Sequence, residues 1–427
     1  YQHKTHLDGE ILTLSYMLAA TRPHTIFRQT YSNMVNFPVS YTSYDQNTRE
    51  RFTEHTFQID YVRPFGKYHK IESGTKYILR YNNSTSLMDY QGTTPDMESK
   101  FKHNAQVAAA YLSYIFTAGK WAARAGLRYE FTRMKASYPD GSNADYHANL
   151  NDWVPSASLQ YKISDSQTLK FSYNTSINRP GIGYLNPAII STPTAVSFGN
   201  ANLGSSRNQK LQLVYMLVTS KFTLQLSPYY SFTNNGIGRI LYEQNRKDVS
   251  TYQNVLKSKD FGISSYTEWT PFTGTSFTLN ASMRYARITL PTPYLKNSGC
   301  GGGIYFNWEQ KIPWELTLTT SIGGEYGNRI YDPYAIEGHW FYYNFTLTRL
   351  FFKDKLTVSL SANSPFIKER SSTYRIVRGD YTVYERSVRY PQRFGIGLSW
   401  NFGKLRASVK KAERSIQNDD LVGGEKK

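Results

Sequence analysis

The stretch Phe222–Phe232, FTLQLSPYYSF, alternates residue by residue between two kinds of side chain. Phe222, Leu224, Leu226 and Phe232 lie at even positions, whereas the odd positions carry Thr, Gln, Ser and Tyr. Successive side chains of a β-strand point to opposite faces, and an amphipathic helix would instead repeat every three to four residues. The stretch therefore predicts a strand with one apolar face and one polar face.

The same two-residue period recurs in later segments of the chain. They are Trp314–Ile322 (WELTLTTSI), Leu356–Leu360 (LTVSL) and Phe394–Phe402 (FGIGLSWNF). Composition also favours β structure, because 36 Tyr and 23 Phe stand beside only 7 Met, and aromatic residues fit a pleated, half-buried surface. Tyr suits a membrane interface as well, since its ring is apolar and its hydroxyl can contact water.

Short and long connections alternate between the predicted strands. Seven short ones are PFGKYHKIESGTK (64–76), TAGK (117–120), SDSQ (164–167), TSK (219–221), TPFTGT (270–275), KIPW (311–314) and FKDK (352–355). Long ones include DYQGTTPDMESKFKHN (89–104), SYPDGSNADYHANLND (137–152), residues 174–208, residues 328–340 and residues 364–390. Tight periplasmic turns alternating with long extracellular loops are typical of a transmembrane β-barrel. We expect an all-β chain, an antiparallel barrel with about sixteen readable strands and both chain ends on the short-turn side.

Aromatic residues cluster near the short turns, as the interfacial girdle of a barrel requires. They are Trp121, Phe222, Trp269, Phe272, Trp314, Phe351 and Phe352. A soluble β-sandwich is the alternative, but it would not need so many strands or loops so unequal at its two ends. The most apolar run, Ala105–Gly119, is shorter than the roughly twenty residues of a transmembrane helix.

The charge of the chain bears on its partners. The formal net charge is +18, and anionic membrane surfaces and nucleic acids both attract so basic a protein. Lys and Arg are spread through predicted loops and lumenal faces, which favours lipopolysaccharide phosphates and outer-membrane lipid over nucleic acid. A local exception is the end of the chain, where residues 404–414 carry several Lys and Arg.

The sequence contains no motif that indicates catalysis or the binding of a cofactor or a metal. Gly299–Gly303, GCGGG, lacks the Lys and Ser/Thr of a phosphate-binding loop and fits a lumenal strand face better. The 8 His residues form no His-x-x-x-His pair, and Asp140, Asp145 and Asp152 do not have calcium-loop spacing. The chain has one Cys and no Gly-x-Ser-x-Gly. We expect no enzyme, no catalytic residue, no cofactor and no metal site.

The long insert between two strands of alternating polarity contains the most specific sequence motifs of the chain. SYNTSINRPGIGYLNP followed by SFGNANL resembles the outer-membrane β-barrel family allied to TonB-dependent receptors, in which Arg-Pro, Leu-Asn-Pro and Gly-Asn-x-x-Leu precede the next strand. The matching residues, expected in a long extracellular loop, are Asn178, Arg179, Pro180, Leu185, Asn186, Pro187, Gly199, Asn200, Asn202 and Leu203. The family often continues with Lys-Pro and an acidic residue, whereas this chain has Gly204, Ser205 and Ser206.

The C-terminal region resembles the same family. Phe394, Trp400 and Phe402 are the aromatic residues of a closing barrel strand, and a basic tail containing Asn-Asp-Asp follows. The predicted organisation is therefore a barrel over residues 1–402 and a basic periplasmic tail over residues 403–427.

The resemblance implies a larger protein than the strands that can be recognised in this sequence. Receptors of this type have twenty-two strands, an N-terminal plug domain and a segment that engages the energy-transducing protein TonB. The plug, the TonB segment and the first strands are thus expected outside these residues, and the chain is expected to be part of an outer-membrane receptor that takes up a small ligand. A complete porin-like or structural barrel of about sixteen strands is the alternative.

Overall fold

The protein is described by a computed structural model that covers residues 1–36, 39–141, 145–185, 190–191, 195–291, 294–378, 381–403, 416, 418 and 421–422. Within these ranges the chain is almost entirely β, as the period-two pattern predicts. One antiparallel sheet forms a curved wall, and each strand of the wall pairs with the wall strand that follows it in sequence.

Sixteen strands make up this wall in the described part of the chain. They are β2 (Ile11–Thr21), β4 (Tyr41–Phe65), β5 (His69–Gly92), β6 (Met97–Ala118), β7 (Trp121–Ser137), β8 (Tyr146–Lys162), β9 (Gln167–Pro180), β12 (Ser206–Val218), β13 (Phe222–Gln244), β14 (Lys247–Trp269), β15 (Thr275–Pro291), β16 (Tyr294–Ile312), β17 (Leu316–Gly327), β20 (Trp340–Phe351), β21 (Leu356–Asn363) and β24 (Arg393–Trp400).

Shorter elements lie in the connections or beside the wall. They are β1 (Gln2–Lys4), β3 (His24–Thr30), α1 (Ile182–Leu185), β10 (Ile190–Ser191), β11 (Ala195–Ser197), β18 (Arg329–Asp332), β19 (Ala335–Glu337), β22 (Arg370–Arg378), β23 (Tyr381–Arg389) and β25 (Leu421–Val422). Among the described residues, no helix is both long enough and apolar enough to cross a bilayer.

Seven tight turns join wall strands at one end of the sheet, as predicted. They lie at residues 66–68, 119–120, 163–166, 219–221, 270–274, 313–315 and 352–355. The first is much tighter than the sequence indicated, because β4 continues to Phe65 and β5 begins at His69. Strand pairing satisfies the backbone N–H and C=O groups of these residues, so PFGKYHKIESGTK does not form a loop.

The opposite end, which the sequence predicts to be extracellular, differs from the prediction in the same way. Only residues 93–96 separate β5 from β6, so the predicted long loop at 89–104 is wrong. β13 and β14 meet through Asn245 and Arg246, whose φ angles of 53° and 59° fit a two-residue hairpin turn. β4 has 25 residues, whereas about nine to eleven suffice to cross a bilayer. Much of the end that is predicted to be extracellular therefore consists of paired strands.

The two faces of the wall differ in chemistry. Phe261, Ile263 and Met283 are large apolar residues exposed on the outer face, as a lipid-facing surface requires. Gln225 Nε2 donates a hydrogen bond to Ser227 Oγ at 3.2 Å, so the alternate residues of β13 share the inner face. This arrangement agrees with the alternation that the Phe222–Phe232 stretch predicts.

The predicted aromatic girdle lies at the short-turn end. Trp121, Trp269 and Trp314 are all exposed there. The ring centroids of Trp121 and Tyr161 are 4.5 Å apart, and those of Trp269 and Phe277 are 5.5 Å apart. Neighbouring strands thus contribute stacked rings at one level of the wall, where Tyr and Trp rings suit the boundary between lipid and water.

The two outer strands of the wall each have one edge without a wall partner among the described residues. β24 pairs with β21 alone, and all eight of its residues are exposed. At the other side, β2 pairs with β4 and, over three residues, with β1. The described wall is therefore a curved sheet whose edge at β24 is unpaired and whose edge at β2 is paired only with the three residues of β1.

Candidate functional site in the barrel lumen

Charged and amide side chains line the inner face of β4–β9. They are Glu54 and Thr56 on β4, Arg80 and Asn82 on β5, His103 on β6, Glu130 and Thr132 on β7, Asp152 on β8, and Arg179 on β9, and each is at most 7% exposed. An ionised group removed from water is stable only with ion-pair or hydrogen-bond partners. The structure supplies such partners in three clusters.

The first cluster joins β4 and β5. Glu54 and Arg80 are directly opposite in the strand register. Arg80 Nε donates to Glu54 Oε2 at 2.7 Å, and the two side chains are 2% and 0% exposed. Because the pair is fully buried, loss of either partner alone would cost about 3–5 kcal/mol.

The second cluster joins β7 and the end of β9. Arg179 Nη2 donates to Glu130 Oε2, and Arg179 Nε donates to Thr132 Oγ1 at 3.2 Å. Arg128 Nη2 lies 2.6 Å from the other oxygen of Glu130. The carboxylate of Glu130 is therefore held between two guanidinium groups, one buried and one facing the lumen.

The third cluster joins β8 and the start of β12. Ser205 Oγ donates to Asp152 Oδ2 at 2.7 Å, and Arg207 Nε donates to Asp152 Oδ1 at 3.0 Å. Asp152 is directly opposite Glu130 in the register of β7 and β8. Two like charges that are paired across strands repel each other, so the arginines on both sides are needed to hold them.

The segment between β9 and β12 lies at the predicted extracellular end but folds inward. Leu185 and Leu203 are 2% and 1% exposed and pack in one apolar cluster with Phe101 and Tyr138. Burial of Tyr138, just beyond β7, raises the pKa of its hydroxyl to about 12. We call residues 181–185 and 195–205 the folded segment.

Hydrogen bonds fix the folded segment to β14. Asn200 Nδ2 donates to the carbonyl of Tyr252 at 2.8 Å, and the backbone N–H of Asn200 donates to the carbonyl of Tyr184 at 2.7 Å. The rings of Tyr184 and Tyr252 stack with centroids 4.3 Å apart. The segment is thus held by β14 on one side and by β6 and β7 on the other.

The motif residues meet in this one region. Arg179, Pro180, Leu185, Gly199 and Leu203 are buried. Asn178 pairs with Ser206, and the backbone N–H of Asn202 donates to Asn200 Oδ1 at 2.9 Å. Asn186 and Pro187 lie outside the described residues. The motif therefore anchors the folded segment, and its role in ligand binding stays a prediction.

Gly204 and Ser205 differ from the residues that the family often has at these positions. Both form hydrogen bonds of their own. The N–H of Gly204 donates to Asn254 Oδ1 at 2.8 Å, and Asn254 Nδ2 donates back to the carbonyl of Gly204 at 3.1 Å. Ser205 donates to Asp152, as described above. A reciprocal amide contact therefore fixes the turn that precedes β12.

A niche of about 200 Å³ opens in the wall formed by β13–β17. Tyr229, Ser264, Ser282, Arg284 and Glu325 line it together with glycines of the 299–303 run. Arg284 Nε donates to Asp260 Oδ1 at 2.8 Å, and Tyr305 Oη donates to Glu325 Oε1 at 2.7 Å. Gly299–Gly303 lies within β16, which agrees with the prediction of a strand instead of a phosphate-binding loop.

The C-terminal region contacts the same lumen. Asn418 Nδ2 donates to Glu54 Oε1 at 2.9 Å and to Thr56 Oγ1 at 2.8 Å. Leu421 and Val422 form β25, which pairs in parallel with Arg179 and Pro180. At these described positions the chain contacts the inner face of the wall, and the periplasmic tail over residues 403–427 stays a prediction.

The last wall strand has the predicted alternation. Phe394, Trp400 and Phe402 are 69%, 52% and 89% exposed, and the ring of Trp400 lies 5.7 Å from that of Phe352 at the short-turn end. The described residues provide no partner for the second edge of β24, so its closing role stays a prediction.

Sequence reasoning missed Glu54, Arg80 and Glu130. Their signal was available, because each is a charged residue at an inward position of an alternating strand. Only the register of the sheet reveals which charges are neighbours, since Glu54 and Arg80 are 26 residues apart. No group of three His, Cys, Asp or Glu suited to a metal occurs among the described residues.

Comparisons with known proteins agree with this architecture. Three similar solved structures are the ferric yersiniabactin uptake receptor FyuA from Yersinia pestis (TM-score 0.65, 14% identity, 94% of this chain and 60% of that chain), the siderophore receptor PiuA from Acinetobacter baumannii (0.63, 13%, 92% and 62%) and the ferripyoverdine receptor of the outer membrane of Pseudomonas aeruginosa (0.62, 12%, 94% and 55%). The chain spans less than two thirds of the length of each. At these identities the likeness establishes the fold. No curated protein sequence matches the chain.

The family assignment rests on sequence. The model of the outer membrane protein beta-barrel family matches residues 3–400. The resemblance expected from the Arg-Pro, Leu-Asn-Pro and Gly-Asn-x-x-Leu wording is thereby confirmed, together with a bacterial outer-membrane location. This chain belongs to the outer membrane protein β-barrel family.

Proposed function

We propose that the chain forms the barrel of an outer-membrane receptor of the TonB-dependent type, which imports a small ligand through its extracellular end and lumen. One observation carries the proposal: the inner face of β4–β9 is covered by the chain itself. Leu185 and Leu203 of the folded segment and Asp152 of the wall are all at most 2% exposed. A passive porin keeps a water-filled lumen, whereas a covered wall suits regulated passage.

The niche of β13–β17 supports a ligand-contacting role for that part of the wall, in contrast to the covered part at β4–β9. It combines a guanidinium (Arg284), a carboxylate (Glu325) and a phenol ring (Tyr229) around about 200 Å³. Small-molecule sites combine a concave shape with a few such polar groups. Of the three solved receptors above, two are named for ferric yersiniabactin and ferripyoverdine and the third is named a siderophore receptor, so ferric chelates are the ligands to test first.

The proposal includes partners that lie outside residues 1–427. Backbone groups on a free strand edge are costly in hydrocarbon, so we propose that further strands complete the wall beside β2 and β24. A plug domain and a segment that engages TonB would supply energy coupling, as the resemblance implies. Outer-membrane lipid and lipopolysaccharide phosphates are the proposed surroundings of this basic chain. The proposal assigns no reaction to the chain.

Uptake in the native bacterium tests the proposal. The gene is deleted and restored, and cells are given a panel of ferric chelates with radiolabelled iron, with and without a protonophore. We expect uptake of at least one chelate that the deletion removes and the protonophore blocks. A restored strain that gains only energy-independent permeability to small sugars would instead support the porin alternative.

A matched pair of variants tests the niche itself. Ser282→Phe places a ring in the niche, whereas Ala281→Phe places the same ring on the outer face of the neighbouring position, where the residue does not line the niche. We expect the first variant to lose uptake while both assemble normally. Equal uptake by the two variants would show that the niche is not on the ligand path.

A further inference from the structure

Two positively charged side chains lie opposite each other on the outer face of the wall. Lys259 on β14 and Arg287 on β15 are direct partners in the strand register, and both are exposed. Lys259 shares the outer face with the exposed Phe261, because residues two apart on a strand point the same way. The Cβ atoms of such partners are about 4.5–5.5 Å apart, so two like charges there destabilise the pairing. We call Lys259 and Arg287 the cation pair.

The chain does not balance the cation pair with a carboxylate of its own. Within the described ranges, neither Lys259 nor Arg287 forms an ion pair. The neighbouring carboxylate of Asp260 points to the inner face, where its Oδ1 lies 2.6 Å from Arg284 Nη2. An anion from outside the chain would therefore offset the repulsion within the cation pair.

Two further lysines enlarge the positive surface. Lys257 lies two residues from Lys259 on β14. Lys296 on β16 is opposite Thr289 of β15, which is itself opposite Lys257. Both lysines are exposed. Thr289 and Ser298 occupy the other positions of these two register rows on β14–β16 and carry no charge, so the surface has a single sign.

The cation pair lies where the outer face leaves the hydrocarbon. Lys259 is ten residues from Trp269 of the aromatic girdle on β14, and Arg287 is ten residues from Phe277 on β15. Ten residues rise about 33 Å along a strand, and a strand tilt of about 40° reduces this to about 25 Å across the bilayer. The apolar band of a barrel is about 25 Å tall. In the predicted orientation, the cation pair is therefore at the headgroup level of the outer leaflet.

Aromatic side chains lie next to the cation pair on its membrane side. Phe261 and Tyr285 are opposite each other in the register, and they are 62% and 48% exposed. A free phosphate ion would contact the cations alone. A lipid that carries phosphate would also place its hydrocarbon chains against these two rings. Charge and apolar surface together therefore fit a lipid better than a free anion.

We propose that this surface binds a phosphorylated lipid of the outer leaflet, with a phosphate group between Lys259 and Arg287 and the acyl chains along Phe261 and Tyr285. A phosphate group has several acceptor oxygens, so it accepts two hydrogen bonds from the planar guanidinium and another from the ammonium group. The proposal concerns the outer face of the wall, so it holds whether the barrel is a receptor or a channel.

Binding of a purified lipid tests the role of phosphate. Intact protein is purified from outer membranes, washed with detergent to remove lipid, and titrated with diphosphorylated lipid A in micelles. Native mass spectrometry measures the fraction of protein that carries the lipid. We expect the parent protein to bind diphosphorylated lipid A and to lose most of this binding when the lipid has been dephosphorylated. Equal binding of the two forms would overturn the proposal.

Matched double variants test the place of binding. Lys259→Gln with Arg287→Gln removes the cation pair. The control, Lys102→Gln with Arg133→Gln, removes the same two residue types from the adjacent strands β6 and β7, where both side chains are exposed but lie four residues apart in register. We expect binding of diphosphorylated lipid A to weaken roughly thirtyfold in the first variant only. An equal loss in both variants, at equal amounts of heat-modifiable barrel, would indicate general attraction to a basic surface and overturn the site.

A competition experiment distinguishes the lipid from a free anion. Excess inorganic phosphate is added to parent protein that carries diphosphorylated lipid A. We expect the lipid to remain bound, because its hydrocarbon chains contact Phe261 and Tyr285 as well. Complete displacement by inorganic phosphate would show that a free anion is sufficient and would overturn the lipid as the occupant.

Discussion

The two sides of the lumen have the same alternating strand pattern but differ in how far their inward side chains are covered. On β4–β9 the inward charges are covered: Glu54, Asp152 and Arg179 are 0%, 1% and 3% exposed. On β14–β17 the inward residues are mainly small, and Ser264 and Ser282 remain exposed beside a niche of about 200 Å³. The first side is held by ion pairs and covered by its own chain, and the second contains an open niche.

This difference teaches that polar residues on the inner face of a barrel strand do not by themselves indicate an aqueous channel. Their effect depends on what covers them. Where the folded segment excludes water, each charge must have a partner. Where water remains, the same residue types are available for binding.

The largest expected effect distinguishes the two sides through their arginines. Arg179→Ala removes a buried partner of Glu130 and should lower the free energy of unfolding by about 3–5 kcal/mol. Arg284→Ala, in the open niche, should have a much smaller effect, because its side chain is 32% exposed and water screens its pair with Asp260. Urea unfolding of the heat-modifiable barrel measures both, and equal losses would contradict the comparison.

The second effect concerns the faces of one strand. Ile263→Arg places a charge on the lipid-facing side of β14 and should cost roughly 2–4 kcal/mol near mid-membrane. Ser264→Arg, one residue later, places the same charge in the lumen and should be tolerated. The amount of assembled barrel in outer membranes is the readout. A similar loss from both variants would indicate a wall buried on both sides.

The sequence predicted most of the wall for a clear physical reason. The period-two alternation in Phe222–Phe232 reports which face meets lipid, and the seven short turns report where strands reverse. It could not give the lengths of the hairpins outside the membrane, because a paired strand in water no longer needs an apolar face. DYQGTTPDMESKFKHN was therefore expected as a loop although most of it belongs to β5 and β6.

The site was predicted less completely. The motif around Arg179 and Leu203 was found from its sequence. Its inward packing, however, depends on Phe101 and Tyr138, which are distant in the sequence. The partners of Arg179 and of Asn418 are separated from them by 49 and 364 residues. Such contacts are set by the register and curvature of the sheet, which a local pattern does not contain.

A third, smaller effect is expected where Tyr229 covers Gly262 on the open side. A Cβ atom at Gly262 would lie 2.7 Å from atoms of the Tyr229 ring, so Gly262→Ala should cost about 1–3 kcal/mol through overpacking. Adding Tyr229→Ala should remove most of this cost. A double-mutant cycle in urea unfolding measures the coupling, and additive losses would show that the ring does not need the glycine.

The smallest effect is expected at the surface. Arg28 and Asp45 form an ion pair between β3 and β4, with side chains 71% and 36% exposed. Because solvent screens such a pair, Arg28→Ala should leave the urea midpoint unchanged and serve as the reference for Arg179→Ala. A clear shift would mean that the β3–β4 region is covered in the membrane.

The central claim is that the chain covers its own lumen, and electrical recording tests it most directly. The intact protein, purified from outer membranes, is inserted into a planar bilayer and its conductance is recorded at low voltage. We predict almost no steady conductance for the parent protein and clear channel openings after Leu203→Asp, which places a carboxylate in the buried apolar cluster that holds the folded segment. Large, stable openings in the parent protein would contradict the account and support a passive channel.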